Sequence, residues 1–491
     1  MQFTVIIAVF IALLAGENTS STPQDMFPWT SGHLSGLSAM SFTAGTILLL
    51  WSLMRVTSKI FLRRMERVGI PNRSSLRLPG RIDLLTRIVI VVMFAIQLTI
   101  GGWGQLTVVE WHLRRVVLAD EVVLLGPFII MLILKWHCFY PINRYIREYV
   151  VAGQLAEGLS ARPVWTRRQY VSFQIRHSLL IILIPLMLML ALKDVVCLFV
   201  DNFFPAEEAA SNFVSYAGEI IVAAGAATIF IFSPLLLRRI WLTRTLPDGP
   251  LRTRLEEFCR KIKLGYRDIL LWDTYSAVAN AAVMGLVRQI RYVMLSDNLI
   301  ENMSDEQIEA VFAHEAGHIK HHHILFLILF ILGAGSVTFL LLQGAGELLN
   351  KTAITEQLPV KYTVWFVNGA GVLLMISWIL LFGWVSRRFE RQADLHAAMS
   401  VDPQNENERL GERGAYIMGS TLQRIAFLNG IATETRSWRH SSIASRRDFL
   451  HRLAVQPKRL RRFRKAVLWI KIFIIISVTV GAVGWAIMNE L

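Results

Sequence analysis

Cysteine is nearly missing from this chain: three in 491 residues, Cys138, Cys197 and Cys259, with no Cys-x-x-Cys pair. That excludes a disulfide framework and a thiolate metal site, and Cys138 and Cys197, in or beside apolar runs, read as small hydrophobes. Charge is scarce as well, at 18% against 54% hydrophobic residues, too little for a soluble chain of ordinary composition. There is no tandem repeat, no low-complexity tract, and no basic tail or basic patch interleaved with aromatics, so the formal charge of +15 does not point to nucleic acid. Lysine and arginine collect instead in alternate gaps between apolar runs, as orientation in a bilayer demands.

A hydrocarbon core about 30 Å thick needs about 20 apolar residues per spanning helix. Runs of that kind at 37–54, 85–106, 122–134, 179–192, 213–237, 324–342, 363–385 and 467–488 predict a polytopic, all-α membrane protein. The opening run, 3–15, reads two ways. Its length and the following Ala15, Gly16, Glu17 and Asn18 suit a signal peptide over 1–16, whereas the lack of Lys or Arg before it suits a retained helix.

The gap after the first firm span holds Lys59, Arg63, Arg64, Arg67, Arg73, Arg77 and Arg81 against a lone Glu66, which predicts a cytoplasmic position. Alternation then puts 193–211, with Asp194, Asp201, Glu207 and Glu208, outside, and 347–362 outside as a short loop. The two large polar segments fall inside. The expected organisation is an N-terminal transmembrane region at 1–238, a cytoplasmic catalytic segment at 239–323, a transmembrane hairpin at 324–385, a second catalytic segment at 386–465 and a final transmembrane helix at 466–491. Leu246-Pro247-Asp248-Gly249-Pro250 marks the entry from membrane to soluble fold.

In the first polar segment, 303–318 reads as one helix, with Ser304 as N-cap, Gln307 closing a capping box, and Asp305 and Glu306 complementing the helix dipole. His314-Glu315-Ala316-Gly317-His318 lies at its end. Residues four apart share a helix face, so His314 and His318 can offer two imidazole nitrogens to one cation, with Glu315 placed to reach an activated water. A catalytic zinc site wants a third protein donor and an open position. The hairpin returns Ser386-Arg387-Arg388-Phe389-Glu390-Arg391-Gln392-Ala393-Asp394-Leu395-His396 to the same side, making Glu390 the expected third ligand and Asp394, one turn on, a holder of a ligand histidine. Beside Arg387, Arg388 and Arg391, Glu390 also reads as an ordinary ion-pair face, and His396 is the reserve donor. His321, His322 and His323 read as interfacial residues, since consecutive residues point different ways on a helix.

These stretches resemble the membrane gluzincin metallopeptidases that include the CAAX prenyl endopeptidases and the bacterial heat-shock membrane zinc proteases. The resemblance covers roughly 250–450 and implies one catalytic Zn2+ held by His314, His318 and Glu390, with Glu315 as general base. It implies a small α-rich zincin domain with one short β-hairpin on the cytoplasmic side. Asn280-Ala281-Ala282-Val283-Met284-Gly285, followed by 291–297, is similar to the family's substrate-pairing hairpin, which implies substrate contacts at Asn280, Ala281, Val283 and Gly285. Read on its own, Tyr292 to Leu295 is β-prone, and an unpaired strand edge by a metal could hold a peptide extended. The stretch from His440 to Arg446 resembles a family segment in which a His-Pro start and a later arginine stabilise the oxyanion or anchor substrate; Ser441 stands here where that segment has proline.

The expected function is a zinc endopeptidase acting on membrane-associated proteins or peptides, with the bilayer and a peptide substrate as partners and a bacterial inner membrane as location. A transporter would place ionisable residues within its spans, and few charges interrupt the runs here. A catalytically silent scaffold would have no need of the complete His-Glu-x-x-His and Glu390 set.

Overall fold

The computed structural model describes residues 2–18, 34–68, 77–113, 116–204, 212–350, 360–402, 409–435 and 440–490. Arg73, Glu207, Glu208 and most of the loop expected at 347–362 lie outside them. The chain forms two compact units.

The first unit holds Met1–Leu246, Gly265–Ala279 and Met284–Glu301. Its helices are α1 (Gln2–Asn18), α2 (Gly36–Val68), α3 (Arg77–Leu98), α4 (Ala119–Ala156), α5 (Arg167–Gln174), α6 (Ile181–Phe203) and α7 (Asn212–Ile240). A π-helical turn, Ile175–Leu180, joins α5 to α6, and α3 continues past a 59° bend into Trp103–Glu110. Large apolar side chains close the interior: Phe94, Phe128, Met131, Leu132 and Trp136 are fully buried, and Val5, Ala8, Val9 and Ala12 of α1 belong to the same core. Some of the polar groups inside it find partners, which offsets the cost of burying them among apolar side chains. Gln97 donates to Thr46 Oγ1 at 2.7 Å, and buried Lys135 of α4 pairs with Asp83 of α3.

This unit also carries β1 (Thr243–Thr245), β2 (Asp268–Trp272) and β4 (Tyr292–Ser296). β1 runs antiparallel to β2 with Thr243 opposite Trp272, and β2 runs parallel to β4 from Asp268 opposite Tyr292 to Trp272 opposite Ser296. β3 (Ala281–Met284), whose last residue belongs to this unit, completes the order β1-β2-β4-β3. The sheet is thus larger than the single hairpin expected, because β2, short and apolar, pairs with a strand some twenty residues away.

The second unit holds Pro247–Leu264, Asn280–Val283 and Asn302–Leu491. Its helices are α8 (Pro250–Lys261), α9 (Asp305–Lys320), α10 (His323–Asn350), α11 (Val360–Ser400), α12 (Glu412–Leu428), α13 (Ile443–Val455) and α14 (Pro457–Glu490). Long apolar α10 and α14 pack through small residues: a Cβ on Gly481 would lie 2.3 Å from that of Ser336, so the backbones approach as only glycine allows. Leu332, Leu380 and Trp469 are more than half exposed on these helices and α11, as expected of surface turned to lipid.

Among the described residues, seven helices are long and apolar enough to cross a membrane, or eight if the bent α3 continuation makes one span. The architecture is that of a mainly helical polytopic membrane protein with a small sheet.

Cys259 on α8 is buried, and burial pushes its thiol up to about 12, leaving almost no thiolate at neutral pH. Maleimide treatment of the native protein therefore leaves Cys259 unlabelled, and labelling after unfolding in denaturant marks it, as peptide mapping would report.

Candidate metal centre

α9 forms where its capping chemistry dictates: the Ser304 hydroxyl accepts from Gln307 N–H, and the Gln307 side chain closes the box on the Ser304 main chain. One turn from its end, His314 and His318 project to the same face, with their Nε2 atoms 3.3 Å apart. α11 crosses α9 closely because Gly317 has no side chain; a Cβ there would meet His396 Cβ at 3.1 Å and Ala393 Cα at 3.2 Å. That crossing sets Glu390 Oε2 3.7 Å from His314 Nε2, and Oε1 3.8 Å from His318 Nε2. Donor atoms of His314, His318 and Glu390 all lie within 4.8 Å of one another.

Tetrahedral ligands at zinc distances of about 2.0–2.2 Å stand roughly 3.3–3.6 Å apart, so two imidazoles and a carboxylate at these separations fit a zinc ion with a fourth position left open. His396, the reserve donor, lies outside this group; its ring packs edge-on against His321 at 5.4 Å.

Asp394 is fully buried one turn beyond Glu390, its Oδ1 3.0 Å from His314 Nδ1. Arg446 of α13 grips it with both prongs: Nε donates to Oδ2 at 2.8 Å and Nη2 to Oδ1 at 2.5 Å. Burial opposes the charge on Arg446, but Asp394 outweighs it and holds the guanidinium protonated, above its usual range. Burial likewise disfavours protonation of His314, and Asp394 reverses the balance and raises its pKa. At His318, burial and the charge of His314 outweigh Glu390 and Asp394 and lower the ring to about 4. His440 sits half-exposed with Nδ1 3.0 Å from Glu390 Oε1.

Glu315 points into a cavity of about 440 Å3 whose walls include Asn280, Ala281, Val283, Met418, Leu422 and Ile443. Burial pushes its carboxyl up to about 7; Glu390 adds to the rise, against His314 and a hydrogen bond from the Val283 main chain. A carboxylate poised there suits a general base at neutral pH. Ala281–Val283 is extended and belongs to the end strand of the sheet order. Gly285 lies beyond, in the first unit, where it opens the hairpin turn at φ 103° with its carbonyl accepting from Arg291 Nε at 3.2 Å.

Two residues given no place in the centre by the sequence also meet it. His323 Nδ1 lies 3.0 Å from His318 Nδ1, and His323 Nε2 lies 2.9 Å from Gln392 Oε1. Helical spacing hides the first contact, because the chain breaks between α9 and α10 and His322 adopts a left-handed φ of 54°.

With this geometry in view, residues 246–410 match the model of Peptidase family M48. The CAAX prenyl protease 1 homolog of Arabidopsis thaliana is 32% identical over 162 residues, 31% of this chain and 37% of that protein. The Protease HtpX homolog of Bacteroides fragilis (strain YCH46) is 31% identical over 141 residues, 25% of this chain and 40% of its own length. The Protease HtpX of Pseudomonas aeruginosa (strain LESB58) is 26% identical over 193 residues, 39% and 61%. The matched stretch spans 37% to 40% of the first three curated relatives.

Proposed function

We propose that the chain, whose residues 246–410 match the model of Peptidase family M48, is a membrane member of that family and a zinc-dependent endopeptidase cleaving membrane-associated proteins or peptides held extended beside Ala281–Val283. The observation that carries this reading is the meeting of His314, His318 and Glu390 at 3.3 to 3.8 Å, with Glu315 next to them facing the cavity.

His314 and His318, through Nε2, and Glu390, through its carboxylate, would hold the zinc ion. A zinc ion held there is a Lewis acid that makes water nucleophilic at neutral pH and polarises the scissile carbonyl. Glu315 takes the proton of the attacking water and returns it to the leaving amine. Asp394 holds the His314 ring, and Arg446 holds Asp394. The main chain of β3 pairs with the extended peptide, while Met418 and Leu422 offer an apolar wall to a side chain. His440, at the rim, donates to the oxygen of the carbonyl as it gains charge. The Lys and Arg excess at the end of α2, with Lys59, Arg63, Arg64 and Arg67, supports a site on the cytoplasmic side.

The full protein in detergent should carry one zinc per chain and cleave a fluorogenic peptide or casein in a chelator-sensitive way. His314→Ala, His318→Ala and Glu390→Ala should each lower zinc content to roughly a tenth or less, since metal affinity rests on the complete donor set. Full zinc without cleavage would leave a silent scaffold; stoichiometric zinc in all three variants would dissolve the site.

A further inference from the structure

His318 turns its Nε2 to His314 and Glu390 and its Nδ1 to His323. If zinc is held as proposed, which is the premise on which the role of His323 rests, the protons of these rings can be placed. A neutral imidazole carries one N–H, so a ring whose Nε2 lone pair is on a metal has its proton on Nδ1. His318 Nδ1 is then a donor, and the nitrogen 3.0 Å away, His323 Nδ1, has to be a bare acceptor. That puts the His323 proton on Nε2, which lies 2.9 Å from Gln392 Oε1, an oxygen that can only accept. The amide of the same Gln392 aims its Nε2, a donor, at His321 Nδ1, 3.3 Å away. Each link fixes the direction of the next. No two donors face each other anywhere along the row, whereas a His323 carrying a proton on Nδ1 would set N–H against N–H.

The row is also mechanically held. His323 is 1% exposed and stacks on Phe389 of α11, with ring centroids 4.5 Å apart and planes 4° from parallel. The Lys471 ammonium, over the Phe326 ring, donates to the His321 carbonyl at 2.7 Å and so ties α14 to the turn that starts α10.

We propose that His323 is the positioning residue for His318: a neutral acceptor that fixes the ligand's tautomer and ring angle, and the second member of a one-way hydrogen-bond row, His318 to His323 to Gln392 to His321. The centre is then asymmetric, with one ligand histidine backed by the buried anion Asp394 and the other by a neutral imidazole.

Two substitutions separate acceptor from filler. Asparagine places its Oδ1 where the His323 Nδ1 stands; glutamine reaches toward the Nε2 position and leaves Nδ1 without a replacement. Zinc affinity of the full-length protein, read by chelator competition, should fall about 10- to 100-fold in His323→Gln and stay within about threefold of wild type in His323→Asn. Equal affinities for all three proteins, or an equal loss in both variants, would overturn the role of His323 and leave the zinc site standing. A wild-type protein that binds no zinc would remove the metal assignment and this role with it. If His323→Gln does not fold, nitrogen-15 shifts of histidine-labelled, zinc-loaded wild type decide: the proposal requires the His323 proton on Nε2, and finding it on Nδ1 ends it.

Discussion

Glu315→Gln should retain zinc and lose turnover by roughly 10²–10⁴-fold or more, the contribution of a positioned general base. Glutamine has nearly the shape of glutamate and leaves His314, His318 and Glu390 in place, so what disappears is the ability to accept a proton. The half-buried carboxyl, pushed up to about 7, is poised to take a proton and give it back near neutral pH. Metal content and peptide cleavage measured on the same preparation check this. Cleavage within tenfold of wild type, zinc intact, would assign the base elsewhere.

The second large effect is on stability. Arg446→Met should cost about 3–5 kcal/mol, because Asp394 is 0% exposed and loses both prongs of its only guanidinium partner among the described residues, leaving a buried charge half-compensated. Arg446→Lys restores the charge but not the fork, and should recover only part of the loss. Asp394→Asn combined with Arg446→Met removes the unpaired charge, so the double variant should unfold at a higher temperature than Arg446→Met alone while still binding zinc weakly, His314 having lost its holder. Strictly additive losses would mean that the two residues stabilise the protein independently.

Much of the centre was legible because its parts are local or periodic. Ser304 and Gln307 announce the start of α9, the i and i+4 spacing puts His314 and His318 on one face, and a hairpin of two apolar runs returns Glu390 and Asp394 to them. The bounds were less so: α11 runs on to Ser400, since nothing in Ser386 to Ala398 breaks a helix, and α4 likewise overruns its apolar stretch by some twenty residues. β2 went unread because Ile269 and Leu270 are both fully buried, so the run shows no alternation, and its parallel partner is remote in sequence. His323 was set aside on helical geometry, which holds only while the helix continues. The left-handed turn at His322, carried by no glycine, breaks the helical spacing just before His323.

One continuous helix, α11, holds both an apolar stretch and, five residues past Val385, the carboxylate of Glu390. Those five residues are about 7.5 Å of rod with no joint. A rod can only slide and roll as a whole. Whatever depth and azimuth the greasy end adopts in lipid is therefore imposed on the liganding oxygen, and bilayer thickness becomes one of the coordinates that focus this centre.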